Sequence, residues 1–124
     1  MTRLVLVVED EPLLLALAHK ILNHSGYQVM LATNGAAAVT QALESEPAPE
    51  LVLMDLALPG VDGWEATAII KARKPQLPII AVSAHAMISD RQRSEDAGFD
   101  DFLSKPYARG DLIAAVAKYL PSHS

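Results

Sequence analysis

Apolar residues fall in five short runs along the chain, and between the runs they recur at helical spacing. "RLVLVV" (Arg3 to Val8) is short and rich in β-branched residues, which predicts a first strand. "EDEP" follows, and Pro12 suits the first turn of a helix. Leu14, Leu17, Ala18, Ile21 and Leu22 then recur at helical spacing until Gly26 stops the helix. "YQVMLA" predicts a second strand, Asn34-Gly35 a turn, and Ala37 to Leu43 a helix with an Ala-rich, tightly packing face. Pro47 and Pro49 end that helix, and "ELVLM" begins the third strand. Gly63 to Lys74 reads as the next helix, closed by "KPQLP", and "IIAVSA" as the fourth strand. Asp90 to Ala97 is helical up to Gly98, "FLS" is a short fifth strand, and Lys105-Pro106 breaks it. Asp111 to Leu120 forms the last helix, with Leu112, Val116 and Leu120 on one face.

Strand and helix thus alternate five times, and the strands are continuously apolar rather than alternating. Such strands belong to a parallel sheet covered by helices on both faces, an α/β fold. The 124 residues fit one domain, 1–124, with a core from about 4 to 120. "PSHS" at the end reads as a frayed tail or a cut point.

Composition narrows the chemistry. Hydrophobic residues make up 51% of the chain, enough for a packed core. A net charge of -5 and the lack of a basic cluster argue against direct nucleic-acid binding. The absence of cysteine excludes disulfides and thiolate metal sites and fits a cytoplasmic address. No apolar run is long enough to span a membrane, and the amino-terminal run is too short for a signal peptide.

In doubly wound sheets, sites form beyond the C-terminal ends of the strands. Those ends deliver Glu9, Asp10 and Glu11 from the first strand, Asp55 from the third, Ser83 from the fourth and Lys105 from the fifth. Acids gathered in this way repel one another unless a cation intervenes. Hard oxygen ligands with room for water suit Mg²⁺. A cation, a lysine and a hydroxyl around a carboxylate make a site for phosphoryl transfer, with the carboxylate as nucleophile and an acyl phosphate as product. Each residue alone has a plainer reading. Glu9 to Glu11 would cap a helix, Asp55 would start a turn, Ser83 would end a strand and Lys105 would sit in water. Their joint occurrence, one at each strand end in order, carries the functional reading.

"LVVEDEP", "LVLMDLALPGVDGWE", "IIAVSAHAM" and "DDFLSKPY" resemble the receiver domain of two-component response regulators, over nearly the whole chain. The resemblance implies a flavodoxin-like (βα)5 fold with strand order 2-1-3-4-5. It makes Asp55 the phosphoacceptor. It gives Mg²⁺ (or Mn²⁺) to Glu9, Asp10, Asp55 and the backbone carbonyl of Ala57. Ser83 would bind a phosphoryl oxygen, Lys105 would pair with it, Phe102 would be the switch aromatic, and the bond before Pro106 would be cis. Glu9 stands where the family more often has Asp, Ser83 where it has Thr, and Phe102 where it has Tyr. By the same resemblance, Ala57 and His85 would flank the phosphoryl site at positions that tune hydrolysis. "SAHAM" with "DDFLSKP" looks most like receivers of hybrid histidine kinases or phosphorelays.

The implied function is phosphorelay signal transduction. Its partner is a histidine kinase or a histidine phosphotransfer protein. The first helix would offer Leu13 and Leu15, at the margins of its buried stripe, as the docking rim. Two other classes share parts of this pattern. A small Mg²⁺-dependent phosphatase with an aspartyl nucleophile wants a second Asp where this chain has Ala57. An FMN-binding flavodoxin-like protein wants a Ser/Thr/Gly-rich phosphate loop where this chain has the repelling "EDEP". Trp64 reads as packing, and His19, His24 and His123 take no role.

Overall fold

The structure is a computed structural model that describes residues 3–84 and 88–121, with side chains from residue 92 in the second stretch. His85 and His123 therefore lie outside the description. The strands are β1 (Leu4–Val8), β2 (Gln28–Ala32), β3 (Leu51–Asp55), β4 (Ile79–Ser83) and β5 (Asp101–Ser104). The helices are α1 (Pro12–His24), α2 (Gly35–Glu44), α3 (Gly63–Arg73), α4 (Ile88–Asp96) and α5 (Arg109–Tyr119). All strand pairs are parallel, in the order β2-β1-β3-β4-β5. This is the flavodoxin-like arrangement.

The apolar strands divide their side chains between two cores, because alternate residues face opposite sides. Val5, Val7, Leu53, Ile80 and Val82 pack under α1 and α5 with Leu15, Ile21, Leu112 and Val116. Leu6, Val8, Val52, Met54, Ile79 and Ala81 pack under α2 and α3 with Ala38, Ala42, Ala66 and Ile70. Ala38, Ala42 and Ala66 are fully buried, so α2 and α3 approach closely with no side chain to spread them. β1, β3 and β4 are buried along their whole length. β2 is an edge strand with Leu31 37% exposed.

Both edges are blunted by side chains, which guards an exposed strand against stray pairing. Gln41 Nε2 donates to the Leu31 carbonyl at 3.0 Å on the β2 edge. The Asp101 carboxylate accepts the neighbouring Phe102 N–H at 2.8 Å on β5. At the far end, the buried Tyr27 hydroxyl donates to the Leu120 carbonyl and ties the start of β2 to the end of α5.

Helix starts depart from the predicted ones where capping decides them. Asn34 is the N-cap of α2, accepting the Ala37 N–H at 2.8 Å, so Gly35 is already helical rather than part of a turn. Asp62 caps α3 in the same way, accepting the Glu65 N–H at 2.9 Å. Gly26 and Gly98 follow α1 and α4 at φ 93 and 97, the left-handed conformation that ends a helix. α4 carries little apolar surface, and Ser94 alone is buried among its described side chains. Arg93 lies 4.3 Å over the Trp64 ring of α3, and Trp64 meets Phe99 edge-on at 5.5 Å. Trp64 is thus a packing residue, and its partners join α3 to α4.

Gly63 lets α3 begin directly against the end of β3. A Cβ there would stand 2.2 Å from the Asp55 carbonyl oxygen and 2.9 Å from Leu56 Cα. Gly110, in the first turn of α5, faces open space. Gly63→Ala is expected to cost roughly 2–3 kcal/mol through overpacking. Gly110→Ala is expected to be neutral or to stabilise by up to about 1 kcal/mol through helix propensity. Urea titration of both variants checks the contrast.

Candidate functional site

β1 and β3 are neighbours, so Glu9 and Asp55 emerge side by side at their C-terminal ends. Both are buried, at 5% and 3% exposure. Lys105 follows β5 and extends across β4 to reach them. Its Nζ stands 2.7 Å from Glu9 Oε1 and 3.0 Å from Asp55 Oδ2. The Lys105 backbone is anchored by its N–H, which donates to the Ser83 carbonyl at 2.8 Å. The Lys105–Pro106 peptide is cis. Each acid also holds a backbone donor. Asp55 Oδ1 accepts the Ala57 N–H at 3.0 Å, and Glu9 Oε2 accepts the Glu11 N–H at 3.2 Å.

Asp10 is exposed and completes an acidic cluster. One carboxylate oxygen from each of Glu9, Asp10 and Asp55 lies within 4.8 Å of the others. Three hard oxygens open to solvent on one side fit a divalent cation that retains water, the preference of Mg²⁺. Glu11, delivered by the same strand end, does a different job. It is the N-cap of α1 and accepts the Leu14 N–H at 3.0 Å. A glutamate is not a usual cap, so the division of labour among the three acids was hidden in the sequence.

The electrostatics follow from burial and pairing. Burial pushes the Glu9 carboxyl above its ordinary value, and Asp55 adds to the rise, while the hydrogen bond from Lys105 opposes it. Burial pulls Lys105 down, but its hydrogen bonds to Glu9 and Asp55 outweigh that and hold it above its ordinary value. Tyr107 is raised by burial and by the charge of Glu9.

Ser83 is buried at the end of β4, beside the end of β3. Phe102 lies opposite Ala81, two residues back along β4 from Ser83, so Ser83 and Phe102 share one face of the sheet. Phe102 is half-buried and packs against the core under α2 and α3.

The first helix requires a correction. Its buried arc is Leu15, Ala18, Ile21 and Leu22, not a stripe centred on Leu14 and Leu17. Leu15 belongs to the core and offers no docking rim. Leu13, Leu14 and Leu17 are 78%, 38% and 49% exposed. Leu13-Leu14-Leu15 contains no polar residue to set the helix phase, so sequence alone left it one residue out. Leu14 and Leu17 instead line a groove of about 240 Å³ with Ala84, Lys105, Pro106 and Tyr107. The groove runs from α1 to the loop after β5 and has Lys105 in its wall.

Buried acids, a shared ammonium and a candidate cation cluster lie together at the mouth of a 2-1-3-4-5 sheet, the place where doubly wound α/β domains carry their sites. Residues 5–117 match the family model for the response regulator receiver domain. The chain belongs to that family and is a receiver domain of two-component signal transduction. It is 39% identical over 120 residues to the sensor protein GacS of Pseudomonas syringae pv. syringae, covering 93% of this chain and 13% of that protein. It is 35% identical over 122 residues to the polar-differentiation response regulator DivK of Brucella abortus, covering 97% of this chain and 98% of that one. The chain thus spans a small part of GacS but nearly the whole of DivK. Its structure is similar to the receiver domain of a sensor histidine kinase from Pseudomonas aeruginosa, which holds a magnesium ion in its active site cleft. That match has a TM-score of 0.87 and 34% identity, and covers 98% of this chain and 100% of the other. Among the described residues, no helix is long and apolar enough to cross a membrane.

The raised Glu9 pKa has a thermodynamic consequence. A group raised on folding contributes stability below its unfolded value, and that contribution is lost as pH rises through the folded value. For Glu9 the loss begins near the ordinary carboxyl value of 4.5 and is complete once pH has passed the raised one. Glu9→Gln cannot lose it. Without divalent cation, the melting temperature of Glu9→Gln relative to wild type is expected to climb through this window and to stay a few degrees higher at neutral pH. Thermal melts from pH 4 to 8 in EDTA check it; a flat difference would show that Glu9 is not strained by its surroundings.

Proposed function

We propose that this domain accepts a phosphoryl group on Asp55 from the phosphohistidine of a histidine kinase or histidine phosphotransfer protein, in an Mg²⁺-dependent reaction. The observation that carries the reading is the Lys105 ammonium lying 3.0 Å from a buried Asp55 that also faces Glu9 and Asp10. An Asp55 oxygen attacks phosphorus, the phosphorus–nitrogen bond to the donor breaks, and an acyl phosphate forms. Lys105 offers its charge to the incoming phosphoryl oxygens, and the Ala57 N–H orients the carboxylate. Glu9, Asp10, Asp55 and the Ala57 carbonyl would hold the cation. The cation neutralises phosphoryl charge when bound.

Ser83 donates its hydroxyl to a phosphoryl oxygen, and Phe102, on the same sheet face, turns inward as Ser83 moves. A shift of a few kcal/mol suffices for such a two-state change. The donor docks on Leu13, Leu14 and Leu17, where the apolar groove leads to Lys105. The domain is a signalling element that assists its own phosphorylation and dephosphorylation, and its address is cytoplasmic. The similarity to GacS and to DivK supports either setting, a module of a hybrid kinase or a single-domain regulator.

Intact-mass spectrometry with acetyl phosphate and Mg²⁺ is expected to show one added phosphoryl group, lost on hydroxylamine treatment and absent in Asp55→Asn or in EDTA. Leu13→Lys is expected to keep that labelling while slowing transfer from a phosphohistidine donor about tenfold or more, an effect of hot-spot size. Labelling of Asp55→Asn would refute the acceptor role, and equal losses with both donors would refute the docking role.

A further inference from the structure

The loop that joins β3 to α3, residues 56–62, runs between two helix starts, and each start is a glycine pressed on backbone. Gly63 meets the Asp55 carbonyl at one end. Gly35, the first residue of α2, meets Val61 at the other. A Cβ on Gly35 would stand 2.0 Å from the Val61 carbonyl oxygen, 2.8 Å from its carbon and 3.0 Å from Val61 Cγ1. The helix is poorly placed to yield to such a clash. Asn34 holds its first turn through the Ala37 N–H at 2.8 Å. The buried Ala38 and Ala42 seat it on the core, and Lys74 Nζ donates to the Ala42 carbonyl at 2.6 Å. The loop is the softer side. Leu56 and Leu58 are buried, whereas Ala57, Pro59 and Gly60 are exposed. Beyond Leu58, Val61 is the next residue at which the loop rests on the core.

We infer that Gly35 is a positioning residue for Asp55: lacking a side chain, it lets the Val61 carbonyl close on the start of α2, and so fixes the loop that carries Ala57. This rests on the phosphoacceptor reading above and extends it to a helix which that reading leaves unused. The Ala57 N–H donates to Asp55 Oδ1 at 3.0 Å, and the Ala57 carbonyl would serve the cation. A loop pushed outward at Val61 carries both groups away from Asp55. The carboxylate then loses its orienting donor, and the cation loses an oxygen. Misplacement by about 1 Å is enough to slow a reaction up to about a hundredfold. Gly35 touches none of the reacting atoms and acts only through Val61.

Gly35→Ala tests this beside Ala42→Gly, which weakens the same helix away from Val61. The amide resonance of Ala57 is recorded without cation or donor, Mg²⁺ affinity by calorimetry, and the initial rate of labelling by acetyl phosphate by intact mass. Gly35→Ala is expected to move the Ala57 resonance, to weaken Mg²⁺ binding about fivefold or more, and to slow labelling about tenfold or more. Ala42→Gly is expected to lower the urea midpoint and to leave all three readouts near wild type. An Ala57 resonance unmoved in Gly35→Ala, or moved as far in Ala42→Gly, would overturn the positioning role. Should Gly35→Ala not fold, the Gly35 amide resonance decides. It is expected to shift on Asp55→Asn, which alters the hold on Ala57, and an unmoved resonance would overturn the role. A wild type that takes no phosphoryl group sinks the acceptor reading alone, because the resonances test the placement of the loop without a donor.

Discussion

The ion triad of Lys105 with Glu9 and Asp55 is the interaction on which the site depends. Two carboxylates at 5% and 3% exposure are costly to bury side by side at the end of a sheet without a counter-charge. The strand order sets how that charge must be delivered. β1 and β3 are adjacent, but β5 lies beyond β4, so its residue spans two strand spacings, about 10 Å, to reach Asp55. A four-carbon stem with a compact ammonium meets that demand. The anchoring of the Lys105 N–H on Ser83 aims the stem across β4, and Gly63 lets α3 start close behind Asp55. Backbone, register and one long side chain together make an otherwise unfavourable burial of acids tolerable.

The rest of the molecule leaves that end of the sheet open. A side chain blunts each sheet edge at one point, and two cores bury the central strands on both faces. Leu14 and Leu17 carry an apolar surface from α1 up to Lys105, so the groove on α1 ends at the ammonium that pairs with Asp55. On the opposite layer, the described side chains of α4 attach it through Ser94 and an Arg93–Trp64 stack.

Strand positions were legible because continuous apolar runs bounded by turn residues have few other readings. The five strands lie within a residue of the predicted ones. Asp55, Glu9, Asp10 and Lys105 were legible for a related reason, since charged residues at the ends of buried strands are costly unless they meet. What stayed hidden depends on three-dimensional competition. Leu13, Leu14 and Leu15 are alike, and only the packing of α1 on the sheet decides that Leu15 goes inward. Asn34-Gly35 fits a turn and a cap equally well, and the Ala37 N–H decides for the cap. Glu11 could have joined the acidic cluster, but its place before Pro12 makes it the first helical acceptor. Nothing local in the sequence marks the Arg93–Trp64 stack, because its members meet only once α3 and α4 are placed.

The central claim is that Lys105 makes the burial of Glu9 and Asp55 tolerable. Equilibrium unfolding of Lys105→Met in urea, at neutral pH and without divalent cation, tests it most directly. Breaking a buried ion cluster by removing its cation costs about 3–5 kcal/mol, and a loss of that order is expected. Adding Asp55→Asn should restore most of it by removing one stranded charge. A Lys105→Met protein as stable as wild type would contradict the account.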